Sequence, residues 1–262
     1  YDSYVPAIEL AGAIPIHLPL RLPDYRVDWQ RVRDAITART RMIIINSPHN
    51  PCGAVLGSND LDQLADAIGD REIYVLSDEV YEHMVYDGAS HCSVLSHETL
   101  RQRSFAVFSF GKTYHATGWK VAYCIAPAAL TTEFRKVHQF VTFTTNSFVQ
   151  YGIADFMALC PEHATDLPAF YQNKRDTFCR LLAESRFQFK PSKGTYFQLA
   201  DYSEISQLDD VSFVNWMTRE KGVAAIPLTP FYANPPGTRI IRFCFCKDDA
   251  TLEKAADILR RL

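Results

Sequence analysis

Three short, almost wholly apolar runs dominate the first half of the chain: Met42-Ile43-Ile44-Ile45, Ile73-Tyr74-Val75-Leu76 and Phe105-Ala106-Val107-Phe108. A strand with one face in water alternates apolar and polar residues, so runs like these read as strands covered on both faces. Between the first two, Leu61, Leu64, Ala65 and Ile68 recur at i, i+3, i+4, i+7, the stripe of a helix opened by Ser58. Covered strands alternating with helices predict the α/β class, a mainly parallel sheet sandwiched by helices. A fourth strand, at 120–125, follows the third run too closely for a helical crossover and is expected to be its antiparallel neighbour.

Outside this region the periodicities are more mixed. Ile14 to Leu20 reads as a strand, and Asp28 as the cap of a helix running to about Thr37 with Val32 and Ile36 inward. From Glu133 the pattern is helical to about Leu159, Pro161 breaks it, and a second helix is expected from Leu167 to Leu182. Short strands at 187–190, 195–199, 223–226 and 239–246 then mix with helices at 211–220 and 249–261. The change of pattern predicts a boundary near Pro161, with a large domain at 1–160 and a small α+β domain at 161–262.

Composition narrows the class of partner. A net charge of −3 over 262 residues, with 47% hydrophobic residues, makes no case for nucleic acid. The longest apolar runs fall far short of the roughly 18 residues of a membrane span. Seven cysteines, an odd number without a C-x-x-C pair, point to reduced thiols and a cytoplasmic protein. Cys244 and Cys246 alternate with Phe243 and Phe245 and are expected to be buried structural thiols on one strand face. No cysteine or histidine has partners at metal-ligand spacing, so no metal site is assigned.

Each of the three apolar runs ends in a polar cluster, and ligands in open α/β sheets bind beyond the carboxyl ends of the strands. The clusters are Asn46-Ser47-Pro48-His49-Asn50-Pro51-Cys52-Gly53, then Ser77-Asp78-Glu79-Val80-Tyr81, then Ser109-Phe110-Gly111-Lys112. Burial disfavours an ammonium ion, so a lysine at such a strand end is suited to act as an amine nucleophile toward an aldehyde. Gly111-Lys112-Thr113 also looks like the tail of a phosphate-binding loop, but that motif needs a glycine where Ala106 stands.

Taken in order, N-P-x-G, D-x-x-Y and S-x-x-K-x(5)-G-x-[RK] resemble the class I/II aminotransferases, pyridoxal-phosphate enzymes of fold type I. Gly111-Lys112 and Thr117-Gly118-Trp119-Lys120 resemble the kynurenine and methionine aminotransferase branch. The resemblance covers nearly the whole chain, to Arg242 in Arg239-Ile240-Ile241-Arg242-Phe243. It implies a pyridoxal 5'-phosphate cofactor on Lys112, the catalytic residue. Asp78 would keep the pyridine nitrogen protonated, since opposite charges at about 4 Å are worth roughly 4 kcal/mol at an effective dielectric near 20. Asn50 and Tyr81 would hydrogen-bond the phenolic oxygen, and Ser109 and Lys120 would hold the phosphate. Lys120 departs from the commoner arginine and offers a point charge rather than a fork. Arg242 would grip the substrate carboxylate; Arg239, at odd spacing from it, should face the other way.

The implied activity is transfer of an amino group from methionine, an aromatic amino acid or kynurenine to a 2-oxo acid by a ping-pong route. Tyr114, His115, Phe140 and Phe143 are candidates for an apolar substrate pocket. A C–S β-lyase would use the same residues, and a non-catalytic cofactor-binding regulatory domain is a third reading. The family also implies a homodimer. The opening Tyr1-Asp2-Ser3-Tyr4-Val5-Pro6 resembles the middle of the family's large domain. The family's N-terminal portion, with its phosphate loop and ring-stacking aromatic, is therefore expected to be missing.

Overall fold

The computed structural model describes residues 1–262. In chain order its elements are α1 (Tyr4–Leu10), α2 (Trp29–Ala35), β1 (Met42–Asn46), α3 (Ser58–Ile68), β2 (Tyr74–Asp78), β3 (Ser104–Ser109), α4 (Phe110–Thr113) and β4 (Ala122–Ile125). There follow α5 (Ala128–Val141), α6 (Ser147–Leu159), α7 (His163–Leu182), β5 (Phe197–Asp201), α8 (Asp210–Trp216), β6 (Ile226–Pro227), β7 (Ile240–Cys244) and α9 (Asp249–Leu259). They form two compact units. One gathers Val27–Pro48 and Val55–Ala169; the other gathers Tyr1–Arg26, His49–Ala54 and Phe170–Leu262. These units are discontinuous in sequence, unlike the contiguous division read at 160/161.

The first unit holds a four-stranded sheet of order β1-β2-β3-β4. β1, β2 and β3 run parallel and β4 antiparallel to β3, as the short connection requires. Its core lies on one face, where Leu61, Leu64 and Ile68 of α3 meet Val75, Ala106 and Phe108. Asp60 Oδ2 accepts the Gly57 amide at 3.0 Å, which fixes where α3 begins. Asp28 caps α2 through the Arg31 amide, and Val32 is buried.

The second unit holds an antiparallel sheet of order β5-β7-β6. Ile241 and Phe243 of the central strand are buried, and Phe243 packs edge-on against Phe178 and Phe187. Tyr202 and Phe213 stack with ring centroids 4.0 Å apart, both fully buried.

Four local expectations change. Residues 14–20 are not a strand: the alternation is present, but a strand needs a partner ladder, and only the isolated bridge Arg21–Arg26 forms nearby. The helical stretch from 133 divides at 142–146, because Phe143 has a positive φ of 65° and Asn146 caps a new helix through the Val149 amide. Residues 187–190 contribute only the bridge Gln188–Asp201. Cys244 is exposed at the end of β7, and Cys246 lies beyond it with its sulfur 3.0 Å from Tyr171 Oη.

Candidate active site

In the four-stranded unit, register assigns the site residues to faces. Asp78 pairs with Val107, so residues 74, 76 and 78 share a face with 105, 107 and 109. That is the face turned away from the α3 core. Asp78 and Ser109 therefore end neighbouring parallel strands on one side of the sheet, both half-buried. The Asp78 backbone is pinned: its carbonyl accepts the Ser47 amide at 3.0 Å and Asn46 Nδ2 at 2.8 Å. Its own Oδ1 accepts the Val80 amide at 3.3 Å.

Lys112 lies on α4, the single turn that leaves β3. Its Nζ stands 5.7 Å from the ring centroid of Tyr81, which is only 4% exposed. The glycine before it has a steric role. A Cβ on Gly111 would lie 3.0 Å from Thr117 Cα and 3.1 Å from the Ala116 carbonyl oxygen. Thr117 Oγ1 donates to the Gly111 carbonyl at 3.1 Å, closing the loop that follows Lys112. Lys120 ends that loop in the left-handed region, with φ 56° and ψ 41°, and its side chain is exposed.

In the three-stranded unit, Arg242 occupies the central strand between Leu199 and Ile226. Its Nη1 donates to Asn50 Oδ1 at 2.5 Å. The guanidinium carbon lies 3.9 Å from the Phe197 ring centroid and 5.5 Å from that of Phe231. Two aromatic rings pack beside the fork and favour its charge. Phe197 and Phe231 were not singled out in the sequence. Phe197 pairs with Cys244, diagonal to Arg242, a relation that exists only once β5 and β7 pair.

The donor set fits a phosphorylated pyridine aldehyde. It offers an amine on a strand-end turn, a carboxylate to face a ring nitrogen, a phenol beside the amine, and a hydroxyl with a cation for phosphate. A family model described as aminotransferase class I and II matches residues 1–259. The chain belongs to the class I and II aminotransferases. It is a pyridoxal-phosphate-dependent aminotransferase, and its mixed sheet flanked by helices is the fold of that family.

This aminotransferase is 51% identical to the methionine aminotransferase of Escherichia coli (strain K12) over 262 residues, all of this chain and 68% of that protein. It is 32% identical to kynurenine–oxoglutarate transaminase 3 of Mus musculus, over 99% of this chain and 64% of the relative. Among solved structures it matches YbdL from Escherichia coli, for which a methionine aminotransferase function is reported. The TM-score is 0.97 at 51% identity, covering 100% of this chain and 69% of that one. N-succinyldiaminopimelate aminotransferase from Mycobacterium tuberculosis matches with TM-score 0.94 at 34% identity, covering 100% and 69%.

Proposed function

We propose that this aminotransferase takes methionine, with aromatic amino acids or kynurenine as further donors, and passes the amino group to a 2-oxo acid. The 51% identity to a methionine aminotransferase across the whole chain is the observation that carries this choice of donor. Bound pyridoxal phosphate supplies an electron sink for the electrons of the substrate's Cα–H bond. Lys112 carries the cofactor and moves the substrate proton with its Nζ. Asp78 faces the ring nitrogen and holds its proton. Tyr81 and Asn50 donate to the phenolic oxygen, and Ser109 and Lys120 bind the phosphate. Arg242, with its fork held by Phe197, Phe231 and Asn50, grips the α-carboxylate and orients the bond to be broken.

In this reading residues 1–160 carry the cofactor-binding function and 161–262 the carboxylate arginine. All seven cysteines are free thiols, which supports a cytoplasmic site. The exposed aromatics Phe140, Phe148 and Tyr151 on α5 and α6 support a homodimer.

Borohydride reduction of the loaded enzyme followed by peptide mapping tests the site: the cofactor should be fixed to the Lys112 peptide. An adduct on Lys120, or none, overturns it. Methionine with a 2-oxo acid should yield a new amino acid and the methionine-derived 2-oxo acid. Release of ammonia and thiol without amino transfer overturns transamination in favour of the lyase, and no turnover of methionine overturns the donor assignment. A monomer in analytical ultracentrifugation overturns the homodimer.

A further inference from the structure

Behind Asp78 lies a second carboxylate that the mechanism above does not use. Ser77 and Glu79 flank Asp78 and, by alternation, turn to the opposite face, where each is 1% exposed. Burying a carboxylate is costly unless its oxygens are satisfied. Glu79 satisfies both. Oε1 accepts Ser77 Oγ at 2.8 Å and the Val94 amide at 3.1 Å, and Oε2 faces His91 Nε2 at 2.7 Å. Burial pushes its pKa up, but hydrogen bonds from His91, Ser93 and Ser77 outweigh this and hold the carboxyl below the usual range.

Those partners come from three places: the strand end itself, the following loop, and the first residue of the 3-10 turn 94–96. The Glu79 side chain thus ties residue 79 to residues 91 and 94 and closes the intervening segment into a loop. That loop carries Tyr81, and Asp78 is its last strand residue. The Glu79 amide also donates to the Val107 carbonyl at 2.8 Å, so both polar groups of the peptide that follows Asp78 are paired.

We propose that Glu79 and His91 are positioning residues for the reaction: by closing this loop they fix Asp78 and Tyr81 around the Lys112 amine. The inference rests on the reading of Asp78 and Tyr81 as cofactor contacts. A purely structural carboxylate would affect stability alone; a positioning one also affects the cofactor's electronic state.

The test uses the holoenzyme with Glu79→Gln, His91→Phe, the conservative His91→Gln, and Asp78→Asn in parallel. Glu79→Gln puts an amide N–H against donors, and His91→Phe removes one donor. Each should lower kcat about tenfold or more while changing KM for the amino donor by less than about threefold, because Arg242 is untouched. Each should also shift the absorption spectrum of the bound cofactor and weaken its affinity about tenfold. His91→Gln, which still offers an N–H to Glu79, should recover most of the loss.

Folded Glu79→Gln and His91→Phe variants with wild-type spectrum, affinity and kcat overturn the proposal. If both fail to fold, Ser77→Ala, which removes a single donor to the same carboxylate, takes their place. A spectral shift with a two- to threefold loss of kcat supports the proposal on the same grounds, and wild-type values overturn it. Wild-type behaviour of Asp78→Asn sinks the reading of Asp78 itself. A damaged Asp78→Asn beside unaffected dyad variants sinks only the positioning role.

Discussion

At Arg242 the proposed grip on the carboxylate rests on the fork as well as the charge. Its carbon lies 3.9 Å from the Phe197 ring centroid and one nitrogen donates to Asn50, an arrangement a lysine ammonium cannot reproduce. Arg242→Lys should therefore raise KM for the amino donor by about 10- to 100-fold, the worth of roughly 1–3 kcal/mol of charge-assisted bonding. Steady-state kinetics with methionine measure it, and an unchanged KM would show that Arg242 does not bind the carboxylate. Gly53 supports the same loop from behind. It has a positive φ of 71°, and a Cβ there would lie 2.7 Å from the Gly194 carbonyl oxygen and 2.8 Å from Ser192 Cβ. Gly53→Ala should lose about 1–3 kcal/mol in denaturant titration, since both the backbone conformation and the close approach resist a methyl group.

Among the elements, α8 shows how one side chain can set the position of a segment. Asp210, 3% exposed on the first turn of α8, accepts the Leu228 and Thr229 amides, each at 2.7 Å, and Thr229 Oγ1 at 2.9 Å. The chain thereby passes from β6 into the turn at 229–231, which brings Phe231 to Arg242. Asp210→Ala leaves buried donors unmet, and a loss of roughly 2–4 kcal/mol is expected in denaturant titration. The same variant should raise KM for the amino donor through Phe231. A stable variant with wild-type KM would show that the turn is held by other contacts.

For the molecule as a whole, one imidazole is expected to set part of the acid tolerance. Burial pulls His49 from the usual 6.5 to about 4, and its Nδ1 lies 3.0 Å from Cys52 Sγ, whose thiol burial pushes up to about 12. A base with a depressed pKa contributes stability above its unfolded value and loses it as pH falls through the folded value. His49 should thus contribute at pH 7 and cease to do so as pH drops from about 6.5 to about 4. At about 1.4 kcal/mol per pH unit, that gap is worth about 3 kcal/mol. Denaturation measured at pH 7, 5.5 and 4.5 should show a steeper decline for the wild type than for His49→Gln. Parallel declines would remove His49 as the cause.

Periodicity and motif order were enough to read much of this protein in advance. β1, the stripe on α3, the antiparallel β4 and the positions of Asp78, Ser109 and Lys112 at or just past strand ends follow from residues near in sequence, because a buried strand and its exit turn carry local signatures. The order of the three polar clusters also identified the family and its cofactor. Tertiary structure decided the rest. The alternation at 14–20 made no strand because a ladder needs a partner, and the segment 133–159 split because Asn146 could cap a new helix. Phe197 and Phe231 reached Arg242 through strand pairing and a buried aspartate far away in sequence. Nothing local to Glu79 announces its partners: only the fold places His91 and the Val94 amide against it. A side chain's burial and its partners are set by the whole packed molecule, whereas the local pattern sets only which way it starts out.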